Sequence, residues 1–130
     1  MHKKIVVLGT GGTIAGTAQS AADNVGYRAA QLSIESLLKA VPGLNAALGT
    51  LALESEQIMQ LDSKDVGPAH WRALAKQAHA HLTRSDVVGL VVTHGTDTLE
   101  ESAFFLSQVL PASLLGHKPV VLTGAMRPAT

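Results

Sequence analysis

The chain contains no cysteine. Disulfides and thiolate metal sites are therefore excluded, and the composition suits a reducing compartment. It also lacks any excess of charge, with ten basic residues against ten acidic ones. Nothing in that balance draws the protein to a phosphate backbone or an anionic membrane surface, so neither nucleic acid nor membrane is an expected partner and a small molecule is. Long apolar runs are missing too: no stretch of the sequence approaches the roughly 18 residues that span a bilayer. The basic start Met1-His2-Lys3-Lys4 is followed by a run too short for a signal peptide and ending in glycine, so it reads as a first strand. A cytoplasmic location is the expectation, with the periplasm the alternative if a leader has been removed.

What the chain has is apolar content, 46% over 130 residues, enough for one core and one domain. Apolar runs at residues 3–8, 50–59, 86–93 and 118–123 alternate with helix-like segments, the pattern of βαβ units. The expected fold is α/β, a doubly wound, mainly parallel sheet with helices on both faces, flavodoxin-like or Rossmann-like. Residues 33–41 place Ile34, Leu37, Leu38 and Val41 at helical spacing, with Ser33 as N-cap and Pro42-Gly43 as terminator. Residues 68–84 open on a proline and carry Trp71, Leu74, Ala75, Ala78 and Leu82 as one stripe. A third helix is expected after Thr98, which with Glu101 has the spacing of a capping box and is followed by Phe104, Phe105, Leu106 and Val109. Residues 15–31 lack periodicity and read as a long mobile loop, a common form of active-site lid. The run at 118–123 is followed by no helix, as in a domain that is cut short.

Two of the strands end in similar turns. Ile5-Val6-Val7-Leu8 leads into Gly9-Thr10-Gly11-Gly12-Thr13-Ile14-Ala15-Gly16, and Leu90-Val91-Val92-Thr93 leads into His94-Gly95-Thr96-Asp97-Thr98. Parallel strands place ligands at their carboxyl ends, so these turns read as two halves of one site. A dinucleotide fingerprint fails, because Ile14 stands where its third glycine belongs, and no P-loop Gly-Lys-Ser or Gly-Lys-Thr follows. What remains is a glycine pair that brings backbone close to a ligand, with Thr13 as a nucleophile if a base activates it. The alternative is that Thr10 and Thr13 only hydrogen-bond a turn and that Asp97 only caps a helix. His70, His79 and His81 read as surface histidines, since the helix sets His79 and His81 about 200° apart. His94 reads as a structural hydrogen-bond partner, and Trp71, Phe104 and Phe105 as core anchors.

The segments Thr10 to Gly16 and His94 to Glu101, with Asp62-Ser63-Lys64-Asp65 and Gly124-Ala125-Met126-Arg127-Pro128, resemble the signatures of bacterial-type L-asparaginases. The resemblance covers nearly the whole chain and implies the larger, N-terminal α/β domain of that family. It implies hydrolysis of L-asparagine to L-aspartate and ammonia through an acyl-threonine, without metal or cofactor. Thr13 matches the nucleophile, Tyr27 the loop tyrosine that assists it, and Thr96 the second catalytic threonine. Asp97 matches the carboxylate that grips the substrate ammonium and Ser63 the hydroxyl that binds the α-carboxylate. Gly12, Lys64 and Ala125 complete the substrate-binding set, and Lys64 stands where many relatives have a neutral residue. The family assembles as a homotetramer, a dimer of dimers whose sites are shared between subunits.

Two departures limit the expectation. The relay lysine downstream in the family has no counterpart after Lys118, and no C-terminal domain is present. These residues alone are therefore expected to be inactive. Two alternatives stay open: a family member that prefers glutamine or another amide, and a non-catalytic module whose threonines only bind an amino acid.

Overall fold

The computed structural model describes residues 2–18 and 28–129. Four parallel strands form one sheet: β1 (Lys4–Gly11), β2 (Ala52–Leu61), β3 (Val87–Thr93) and β4 (Val120–Thr123), in the order β2-β1-β3-β4. The helices are α1 (Ile34–Lys39), α2 (Leu44–Leu48), α3 (Pro68–Leu82), α4 (Leu99–Val109) and α5 (Ala112–Leu115). Successive side chains of a strand face opposite ways, and β1 is covered on both sides accordingly. Val6 and Leu8 join Leu74, Ala78, Leu82, Leu90, Val92 and Leu106 in the larger core, beneath α3 and α4. Val7 joins Ile34 and Leu37 in a smaller one, beneath α1. The doubly wound α/β reading is thus observed.

Local chemistry sets the helix starts. Ser33 Oγ accepts from Ser36 N at 3.2 Å, capping α1 as the sequence suggests, and Gln57 Oε1 of β2 accepts from Ile34 N at 2.6 Å. α3 opens on Pro68, whose missing N–H is no loss in a first turn. Several expectations need correction. Thr98 precedes α4, but its hydroxyl caps nothing there and instead donates to Ser63 O at 2.8 Å. Phe104 is 68% exposed and not a core anchor, while Trp71 and Phe105 stack at 5.8 Å. His81 is buried and not a surface histidine. Most of the long loop expected at residues 15–31 lies outside the described residues; at its edges Thr13–Ala15 form a 3-10 turn and Thr17 and Arg28 pair in an antiparallel bridge. α2 and α5, too short to show a periodicity, were not anticipated.

The amino ends of the strands are tied by charge. Arg84, just after α3, donates from Nη1 and Nη2 to the two oxygens of Glu54 at 2.9 Å each, and from Nε and Nη2 to Asp86 at 3.2 and 3.1 Å. Lys4 stands 3.5 Å from Glu54 and 3.7 Å from Asp86. Hydrogen bonding from the Arg84 guanidinium holds the Glu54 carboxyl well below its ordinary 4.5, at about 2, and lowers Asp86 as well. A carboxyl depressed in the folded state contributes stability above its unfolded value, and that stability is lost as pH falls through the folded one. Acid unfolding should therefore steepen between pH 4.5 and about 2, and Glu54→Gln should flatten that loss in a urea-unfolding series against pH. An unchanged pH profile in the variant would contradict the assignment.

Candidate active site

The order β2-β1-β3-β4 sets the site's position. From β1 the chain runs to β2 on one side and then crosses to β3 on the other, so a topological switch point lies between the carboxyl ends of β1 and β3. Both glycine-threonine turns leave the sheet there. Thr10 is buried and its hydroxyl donates to Thr93 O at 2.6 Å, locking the two strand ends together. The bland reading of a turn threonine therefore holds for Thr10.

The turns touch through their backbones. Gly12 has φ 80°, a left-handed conformation that penalises any β-carbon. A β-carbon there would also strike Gly95 Cα and N and come within 2.9 Å of the His94 carbonyl carbon. Gly95 faces Ser63 in the same way, since a β-carbon on it would collide with the Ser63 side chain. Three segments far apart in the chain thus meet at the switch point.

Ser63 is buried in a 3-10 turn, Ser63–Asp65, capped by Asp62 Oδ1 accepting from Lys64 N at 3.2 Å. Its Oγ accepts from Asp97 N at 3.1 Å, and its carbonyl accepts from Thr98 Oγ1. Asp97 is thereby fixed by its amide and is an exposed residue, one position before the N-cap of α4. Thr96 is exposed and Thr13 half-buried, each adjacent to the glycine that makes the contact. Lys64 is exposed. Ala125 is half-buried, two residues past Thr123, whose carbonyl accepts from His94 N at 2.9 Å. Gly12, Thr13, Ser63, Thr96 and Asp97 are brought together, Ala125 follows the neighbouring strand, and Tyr27 lies outside the described residues.

His94 is the structural hydrogen-bond partner that the sequence suggests, but sequence reading missed what supports it beneath the second turn. His94 is 1% exposed, its Nδ1 is 2.7 Å from Gly95 O, and its Nε2 is 2.8 Å from Ser102 Oγ. Ser102 in turn accepts from Trp71 Nε1 at 2.9 Å. It also missed the anchoring of the first turn, where Ala30 N donates to Gly12 O and Gln60 Nε2 to Ala30 O. Ala30 has φ 58°. Nothing local in the sequence marks Ser102, Gln60 or Ala30.

Fold and geometry define an α/β domain with a hydroxyl-rich, backbone-lined site at its switch point. The chain belongs to the asparaginase family: residues 4–130 match the model described as Asparaginase, N-terminal. It is 46% identical to the probable periplasmic L-asparaginase of Haemophilus influenzae, over 97% of this chain and 33% of that protein. It is 40% identical to the glutaminase-asparaginase of Pseudomonas fluorescens, again over 97% of this chain and 33% of the relative. The crystal structure of a probable cytoplasmic L-asparaginase from Campylobacter jejuni superposes with a TM-score of 0.86 at 42% identity, covering 98% of this chain and 36% of that one. The chain thus spans about a third of the length of these relatives. Their names place them in both cytoplasm and periplasm, and no described helix of this chain is long and apolar enough to cross a membrane.

Removing the Ser63 hydroxyl leaves the Asp97 amide without its acceptor. Ser63→Ala should destabilise the chain by about 1 kcal/mol in urea unfolding and speed hydrogen exchange at the Asp97 amide. Unchanged exchange there would contradict this role.

Proposed function

We propose that this chain is the N-terminal domain of an amidohydrolase that converts L-asparagine to L-aspartate and ammonia through a covalent threonine ester. The observation that supports this is the backbone contact of Gly12 with Gly95, which sets Thr13 and Thr96 on adjoining turns beside Ser63 and Asp97. The Thr13 hydroxyl attacks the side-chain amide carbon, the C–N bond breaks, and ammonia leaves. Water then hydrolyses the ester, releasing aspartate and restoring the hydroxyl. A threonine hydroxyl is a weak nucleophile and needs a proton acceptor within about 3 Å. Thr96 and Tyr27 are assigned that assistance on the family resemblance.

The Asp97 carboxylate takes the substrate ammonium, and Ser63 takes the α-carboxylate together with Lys64. Gly12 and Ala125 supply close-lying backbone. Amide N–H groups of such a turn can face the developing oxyanion, a contribution worth about 3–4 kcal/mol per donor. No metal or cofactor has a part in these steps. The site is completed, on the same resemblance, by groups beyond these residues and by a neighbouring subunit of a homotetramer. Glutamine is the second reading, supported by relatives named glutaminase-asparaginase, and one methylene is discriminated by only about 1–3 kcal/mol of pocket fit.

The isolated chain should release no ammonia from asparagine. Joined to the remaining two thirds of the Haemophilus influenzae relative it should do so, and Thr13→Ala in that fusion should lower turnover by at least about 10³-fold while the fold persists. Binding of aspartate without turnover in the unmutated fusion would make the domain an amino-acid-binding module instead.

A further inference from the structure

We propose that Trp71 and Ser102 act through His94 as positioning residues for the second turn, holding the plane of the peptide that joins Gly95 to Thr96. The inference rests on reading Thr96 as part of the substrate site. Its evidence is a chain of hydrogen bonds that runs in one direction only. Trp71 Nε1–H has no acceptor capacity and donates to Ser102 Oγ at 2.9 Å. Gly95 O is a carbonyl and can only accept, so the His94 nitrogen 2.7 Å away, Nδ1, carries a proton. In the neutral imidazole Nε2 is then the acceptor, and Ser102 Oγ–H is its donor at 2.8 Å. Each N–H and O–H donor of the relay is used once, in the order Trp71, Ser102, His94, Gly95.

The centre of the relay is sealed from water. Ser102 is 0% and His94 1% exposed, so a missing partner would leave a buried polar atom unsatisfied. It is also rooted in rigid structure, with Ser102 on α4 and Trp71 on α3 stacked on Phe105 at 5.8 Å. Its output is geometric. The peptide between Gly95 and Thr96 is planar and trans, so the Thr96 N–H points opposite to the Gly95 carbonyl. Fixing that carbonyl on His94 aims the Thr96 amide away from the interior and orients Thr96 and Asp97 after it. A histidine that only filled space would need neither Ser102 nor a defined tautomer.

Nitrogen-15 NMR of the full chain tests this without turnover, so its outcome is separate from that of the ammonia assay. At neutral pH the His94 ring should show a protonated Nδ1 and an unprotonated Nε2, and the opposite tautomer would overturn the relay. Ser102→Ala should shift the Nε2 resonance and the Thr96 amide and speed exchange of the Asp97 amide by about tenfold, with exchange in α3 unchanged. Ser102→Thr, which keeps the hydroxyl, should restore all three. An unmoved Thr96 amide in folded Ser102→Ala overturns the proposal. If that variant does not fold, Trp71→Phe keeps an aromatic ring against Phe105 and removes the first donor. The same shifts, smaller, support the relay there, and their absence overturns it.

Discussion

Where Gly12 meets Gly95, two peptide backbones approach more closely than any pair of side-chain-bearing residues allows. That contact is possible only because Gly12 has no β-carbon, as the approach of Ser63 is possible only because Gly95 has none, and together they decide what lies beside what at the carboxyl end of the sheet. Thr13 follows one glycine and Thr96 the other. Ser63 fills the space against Gly95 and returns two hydrogen bonds to the segment 97–98. Had either turn been wider, the threonines would project from separate strand ends with a layer of side chains between them.

The two ends of the sheet are built from different forces. At the amino end Arg84, Lys4, Glu54 and Asp86 form an ion-pair network at partial exposure, where screening keeps each pair's net contribution small. At the carboxyl end the ties are hydrogen bonds among buried groups: Thr10 to Thr93 O, and the relay through His94. On the proposed reading, a site that receives a charged amino acid is tied together without ion pairs, and Asp97 and Lys64 are exposed beside it.

Much of this could be read before any coordinates. The four strands follow from apolar runs separated by helical stripes, and α1 and α3 from a serine cap and an N-terminal proline, because those signals are local. The pairing of the two turns was legible because both are glycine-threonine turns on apolar strands, and the sheet order then brings them to one switch point. What was not legible depends on partners distant in sequence. Phe104 has the spacing of a core residue, but only α4's packing shows that its side of the helix faces outward. His81 looks like any helical histidine until Glu56 and Arg84 are placed beside it, 2.6 and 3.0 Å away. Ser102 reads as an ordinary helical serine, and only the fold joins it to His94 and Trp71.

The claim beneath all of this is that the two turns press on each other, and a double-mutant cycle reads it directly. Unfolding free energies of Gly12→Ala, Gly95→Ala and the double variant should depart from additivity by about 0.5–3 kcal/mol, since a methyl on Gly12 would occupy space that the Gly95 backbone fills and one on Gly95, besides striking Ser63, would press on Gly12 Cα at 3.2 Å. Additivity within about 0.5 kcal/mol, with all three variants folded, would mean that the turns are independent and that Thr13 and Thr96 share no site.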